Sequence, residues 1–209
     1  MSWKPIMPGV YEGLPKPEID VETSVLFKMS NIPAKTLETH RLGTWKHRGE
    51  DKWVLKVKEY ISFNYSHPFL TLLGATGTGK THIAFAIGWE WLIQGKSVLY
   101  NHGEDLLDSL RDGYSRTGRG DSESYDNIMR FTQNVGLLIL DDLGAEQETK
   151  WSIPKLEQII DYRYVHQKPL IVTTNIALNR LPSRIADRLA EGILIQLTGE
   201  SFRRQKKTK

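Results

Sequence analysis

The chain has 209 residues, 28 Lys and Arg against 25 Asp and Glu, a formal charge of +3, 39% hydrophobic residues and no cysteine. This length suits one α/β domain with an added arm and leaves no room for two full domains. The missing cysteine excludes disulfides and thiolate zinc sites, and no stretch approaches the roughly 18 apolar residues a membrane span requires.

Prolines stand in the N-terminal stretch where a secretory peptide carries its apolar core, so a cytoplasmic protein with no membrane partner is expected. Residues 1–48 contain Pro5, Pro8, Pro15, Pro17 and Pro33 and no sustained period, which predicts an extended N-terminal arm with room for one short helix. Val10, Tyr11, Leu14, Val25, Leu26 and Phe27 make that arm a candidate partner-binding segment that orders on contact.

The compact domain is expected over 49–209. Trp53, Val54, Val57, Tyr60 and Ile61 have helical spacing, and the helix should stop before His67-Pro68. From there strands and helices alternate as in a parallel sheet covered on both faces. Strands are predicted at Phe69–Leu73, Lys96–Tyr100, Val135–Leu140, Leu170–Thr174 and Ile193–Leu197. Helices are predicted from Thr81 to about Ile93, over 104–114, 124–133 and 150–166, and near 182–190. The polar stretch SRTGRGDSES reads as an exposed loop. Only twelve residues follow Leu197, too few for a C-terminal helical lid domain, and they end in the basic tail Arg203, Arg204, Lys206, Lys207 and Lys209.

The segment GATGTGKT matches G-x-x-x-x-G-K-T between an apolar strand and an amphipathic helix. Gly74, Ala75, Thr76, Gly77, Thr78, Gly79, Lys80 and Thr81 are therefore the candidate ATP-binding loop. Its glycines let successive N–H groups converge on phosphate at the positive end of a helix. Thr81 offers a hydroxyl to Mg²⁺, and Asp141, at the end of LLILDDLG, offers the carboxylate. Asp142 is where an ATPase positions the base for the attacking water, one methylene shorter than a glutamate. Thr173, Thr174 and Asn175 end the next strand on the same edge; Asn175 is the best placed to reach a γ-phosphate or water, with a helix cap as the rival reading.

GATGTGKTHIAFAIG, VLYNHGEDLLDSLR, LLILDDLGAE, PLIVTTN, SRIADRL and GESFRR together resemble the DnaC/IstB-type helicase-loader and transposition-helper ATPases of the AAA+ group. The P-loop motifs are general; His82, the Ala-Glu after the aspartates and the closing G-E-S-F-R-R narrow the likeness. The resemblance implies a P-loop NTPase sheet of order 5-1-4-3-2, ATP and Mg²⁺ as cofactors, homo-oligomers with shared sites, and a replicative helicase or a transposase as partner. It adds His82 to the ATP-binding residues, favours a catalytic Asn175, and implies an arginine acting in trans, Arg188 or alternatively Arg184. It also implies single-stranded DNA near residues 111–130, where Arg111, Arg116, Arg119 and Arg130, with Tyr114 and Tyr125, supply charge and stacking faces. The N-terminus departs from full loaders, whose separate helicase-gripping module has no counterpart in the short arm. The leading expectation is a DNA-associated ATPase; a nucleotide-gated adaptor and a small-metabolite kinase are the other classes weighed.

Overall fold

The computed structural model describes residues 21–42, 53–116, 122–144, 151–199 and 201–202. Five strands form one parallel sheet: β1 (Phe69–Gly74), β2 (Val98–His102), β3 (Leu137–Asp141), β4 (Leu170–Thr174) and β5 (Ile193–Leu197). Their order is β2-β3-β4-β1-β5, the expected 5-1-4-3-2 read from the other edge. The central strands β1, β3 and β4 are almost wholly buried, which is why their sequences are unbroken apolar runs.

Helices cover both faces. On one lie α1 (Val21–Met29), α2 (Thr36–Thr39), α3 (Trp53–Ile61) and α4 (Lys80–Ile93), around Ile83, Ile87, Leu92 and Tyr60. On the other lie α5 (Gly103–Arg116), α6 (Ser122–Asn134), α7 (Ser152–Val165) and α8 (Ser183–Ala190), around Leu106, Leu110, Ile159 and Leu189. Among the described residues no helix is long and apolar enough to cross a membrane.

Several boundaries differ from the sequence reading: β3 begins at Leu137 and not at Val135, and α5 and α6 take in both ends of the expected polar loop. Strand β2 begins at Val98, two residues later than predicted, because Gly95 and Lys96 close α4: the Lys96 N–H donates to the Trp91 carbonyl. The shift carries Asn101 and His102 to the edge where the other strands end. The second half of the arm also holds two short helices. Phe27 stacks on Trp89 with centroids 5.4 Å apart, Ile32 is buried, and the Tyr100 N–H donates to the Ser30 carbonyl at 2.7 Å. Burial of Ile32 and Phe27 against α4 fixes this segment, an effect that proline-rich composition hides. The first twenty residues, the SRTGRGDSES loop centre (117–121) with Arg119, the Ala145-Glu146 pair and the basic tail lie outside the described residues.

Candidate functional site

The C-terminal ends of β1, β3 and β4 bring the nucleotide motifs together. Between β1 and α4 the loop turns at Gly74, Gly77 and Gly79, with φ of 155°, 85° and 99°, values that side-chain-bearing residues rarely adopt. Gly77 is also needed for space, since a Cβ there would lie 2.0 Å from Ser201 Oγ. The Phe202 N–H donates to the Gly77 carbonyl at 2.9 Å, so Ser201 and Phe202 are seated on this loop, a contact their position in sequence does not announce. The Lys80 ammonium donates to the Gly74 and Ala75 carbonyls, at 2.9 and 3.2 Å.

Asp141, 5% exposed, is the centre of a hydroxyl shell. Thr81 donates to its carboxylate (2.9 and 3.1 Å), Thr173 donates to Oδ1 (2.6 Å) and Tyr100 donates to Oδ2 (3.0 Å). Burial first, and then the Asp141 charge, push the Tyr100 phenol well up, so it stays a donor. Thr173 in turn accepts the Asp142 N–H at 2.9 Å. Asp142 has φ 57°, a left-handed conformation costing a non-glycine residue about 1 kcal/mol or more, and the Thr173 bond helps hold it. Its carboxylate lies 3.9 Å from His102 Nε2. Tyr100 and His102 thus join Thr173 and the other residues read from motifs. Asn175 is exposed just past β4.

A carboxylate ringed by hydroxyls beside a glycine loop and a helix start is a hard-oxygen donor set that fits Mg²⁺ and nucleotide phosphates. His82 sits on the side of α4 facing the N-terminal segment, Nε2 3.1 Å from the Arg41 carbonyl and its ring 4.8 Å from His40. Burial lowers its pKa, the Arg41 carbonyl opposes this, and His40 lowers it further.

Arg188 is half-buried on α8, donating to Asp161 (3.4 Å) and Glu191 (3.5 Å), with its guanidinium carbon 4.1 Å from the Tyr164 ring centre. Arg184 pairs with the same Asp161.

The residues read as a DNA surface divide. Arg111 is exposed, pairs with Asp108 at 2.9 Å and lies 5.2 Å from the Trp151 ring centre. Tyr114 and Tyr125 meet edge to face at 5.9 Å, and Lys155 lies 5.1 Å from the Tyr125 ring. Trp151 and Lys155, on the loop and helix after β3, therefore complete an aromatic and cationic platform whose sequence halves are far apart. Arg130 is exposed on α6, and Arg116 is the last residue of α5.

Comparison with known proteins agrees with this geometry. The replicative helicase loader DnaC of Escherichia coli (strain K12) is 27% identical over 144 residues, covering 68% of this chain and 57% of that protein. The chain thus spans little more than half of that relative. The crystal structure of the DnaC helicase loader superposes with a TM-score of 0.65 at 26% identity, over 79% of this chain and 100% of the other. AMPPCP-bound DnaA from Aquifex aeolicus, at 22% identity and TM-score 0.67 over 80% of this chain and 54% of the other, shares the fold. Residues 21–209 match the family described as IstB-like ATP binding protein, and the chain belongs to that family.

Proposed function

We propose that this protein is a Mg²⁺-dependent ATPase that assembles on single-stranded DNA in the cytoplasm and helps load a replicative helicase. The observation that carries the reading is the convergence of the Thr81 and Thr173 hydroxyls on the Asp141 carboxylate beside the glycine loop. When bound, Mg·ATP supplies the phosphoryl group to be cleaved. The backbone N–H groups of the glycine loop and the start of α4 would hold its phosphates together with Lys80, whose ammonium donates to the Gly74 and Ala75 carbonyls. Thr81 and Asp141 would hold the metal, with Tyr100 and Thr173 fixing the carboxylate's direction. Asp142 accepts the proton of the attacking water, and Asn175 orients that water from the next strand end. Arg188 of a neighbouring copy supplies positive charge where negative charge develops in the transition state, which makes turnover depend on assembly. The Arg111, Tyr114, Tyr125, Trp151 and Lys155 platform offers charge and stacking faces to an unpaired strand.

The family match favours a second reading, a transposition helper on the same chemistry with a transposase as client. The test common to both is steady-state ATP hydrolysis at rising protein concentration, with and without single-stranded DNA at fixed salt. A cooperative rise stimulated by DNA is expected. Lys80→Ala should abolish nucleotide binding, whereas Asp142→Asn should retain it and lose turnover by roughly a hundredfold or more. A rate per molecule indifferent to concentration and DNA would sink the proposal.

A further inference from the structure

We infer that Asp161, Tyr164 and Glu191 form a clamp that presents Arg188 to the neighbouring copy, as positioning residues for the trans arginine; this rests on the shared-site reading above. A guanidinium has five N–H donors in one plane, and its usefulness at a phosphate depends on how many are left over and where they point. Here the Nε donor goes to Asp161 at 3.4 Å and one terminal nitrogen, Nη1, goes to Glu191 at 3.5 Å. The Tyr164 ring closes one face of the plane, 4.1 Å from the central carbon. The Tyr164 hydroxyl donates to the same Glu191, so the carboxylate is held by the ring that the arginine stacks on. The Nη2 donors are used in neither carboxylate bond and remain for a phosphate.

The anchoring elements are rigid. Asp161 and Tyr164 stand on α7, whose neighbouring Arg163 is fully buried, donating to the carbonyls of Thr132, Gln133, Val135, Gly136 and Pro169. Leu189, next to Arg188 on α8, is also fully buried. A long side chain that would otherwise sample many rotamers is thus held in one direction before a partner arrives, and the entropy of ordering it is not charged to the transition state. The same two carboxylates also balance the arginine's charge in the free protomer. The clamp predicts a defect that appears in the neighbour's site and not in the variant's own.

The test uses the full chain. Tyr164→Leu alone should lower kcat about tenfold with KM for ATP changed by less than about twofold, the pattern for a lost transition-state contact. Mixed with Lys80→Ala protein, which supplies an intact clamp but binds no nucleotide, activity should rise well above the average of the two parts. Tyr164→Phe, which keeps the ring and loses the hydroxyl bond, should fall between wild type and Tyr164→Leu. If Tyr164→Leu does not fold, as judged by its thermal transition, Glu191→Gln takes its place in the same mixing experiment. Normal turnover in these variants, or no recovery on mixing, overturns the clamp. An Arg188→Ala and Lys80→Ala mixture separates the two levels: recovery there without recovery for the Tyr164 variant refutes the clamp alone, whereas failure of both removes the trans arginine beneath it.

Discussion

Replacing Thr173 by Val keeps the shape of the side chain and removes one hydroxyl. That group is buried with its residue (1% exposed), donates to Asp141 at 2.6 Å and accepts the Asp142 N–H at 2.9 Å. A hydrogen bond to a charged partner contributes about 1.5–3 kcal/mol, and stranding a polar group costs about 1–3 kcal/mol. The Asp142 amide is only partly buried and Asp141 keeps Thr81 and Tyr100, so the lower halves of these ranges apply and the sum is about 3 kcal/mol. At this chain length each kcal/mol moves the thermal midpoint by about 2–4 °C, so Thr173→Val should melt about 6–12 °C below wild type. Thr173→Ser, which restores the hydroxyl, should lose less than half of that. The assay is thermal unfolding followed by circular dichroism at one pH and salt, without nucleotide. A Thr173→Val midpoint within about 2 °C of Thr173→Ser would show that the hydroxyl does not hold the aspartate pair, and the reasoning would fail.

Gly77→Ala should weaken nucleotide binding by more than about tenfold, because the new methyl meets Ser201 Oγ at 2.0 Å on a backbone with φ 85°. Adding Ser201→Gly removes the collision but not the backbone strain, so titration calorimetry should show partial recovery; no recovery would mean that Ser201 is not the obstacle. For His82, burial is the main cause of a pKa below the unfolded value of about 6.5. As pH falls the unfolded chain takes up the proton first, so the stability from neutral His82 is complete above that value and is lost below it. His82→Gln should therefore flatten the decline of the thermal midpoint between pH 7 and 5, and equal slopes would refute the assignment.

How far the sequence carried differs from residue to residue. Gly74 to Thr81 and Asp141 were legible because their spacing encodes a loop and a strand end whose chemistry is local. The five strands were legible from apolar runs, with β2 misplaced by two residues because the turn after Gly95 uses Lys96 and Ser97 before pairing starts. His102 was invisible for that reason, falling two residues past the predicted strand end, whereas Tyr100 stood at that end but nothing in its spacing announced Asp141 on the adjacent strand as its partner. Arg163 carried a signal that went unread, since it follows Leu156, Ile159 and Ile160 on one helical stripe, and a cation there must be met by buried acceptors. Its burial lowers its pKa to about 10, which leaves it charged at neutral pH. The Trp151 and Lys155 platform could not be read at all, because it depends on how α7 packs beside α5 and α6.

The seating of Phe202 on Gly77 bears on how the protein is made. Strand β1, which carries the glycine loop, lies between β4 and β5, and both emerge from the ribosome after it. The loop also meets Ser201 and Phe202, which are made after both strands. At about 5–20 residues per second, the segment between them takes on the order of ten seconds to synthesise. Until β4 is made, the glycine loop is flanked by no partner strand. The nascent chain therefore carries the nucleotide motif without a nucleotide site, and competence arrives together with completion of the sheet.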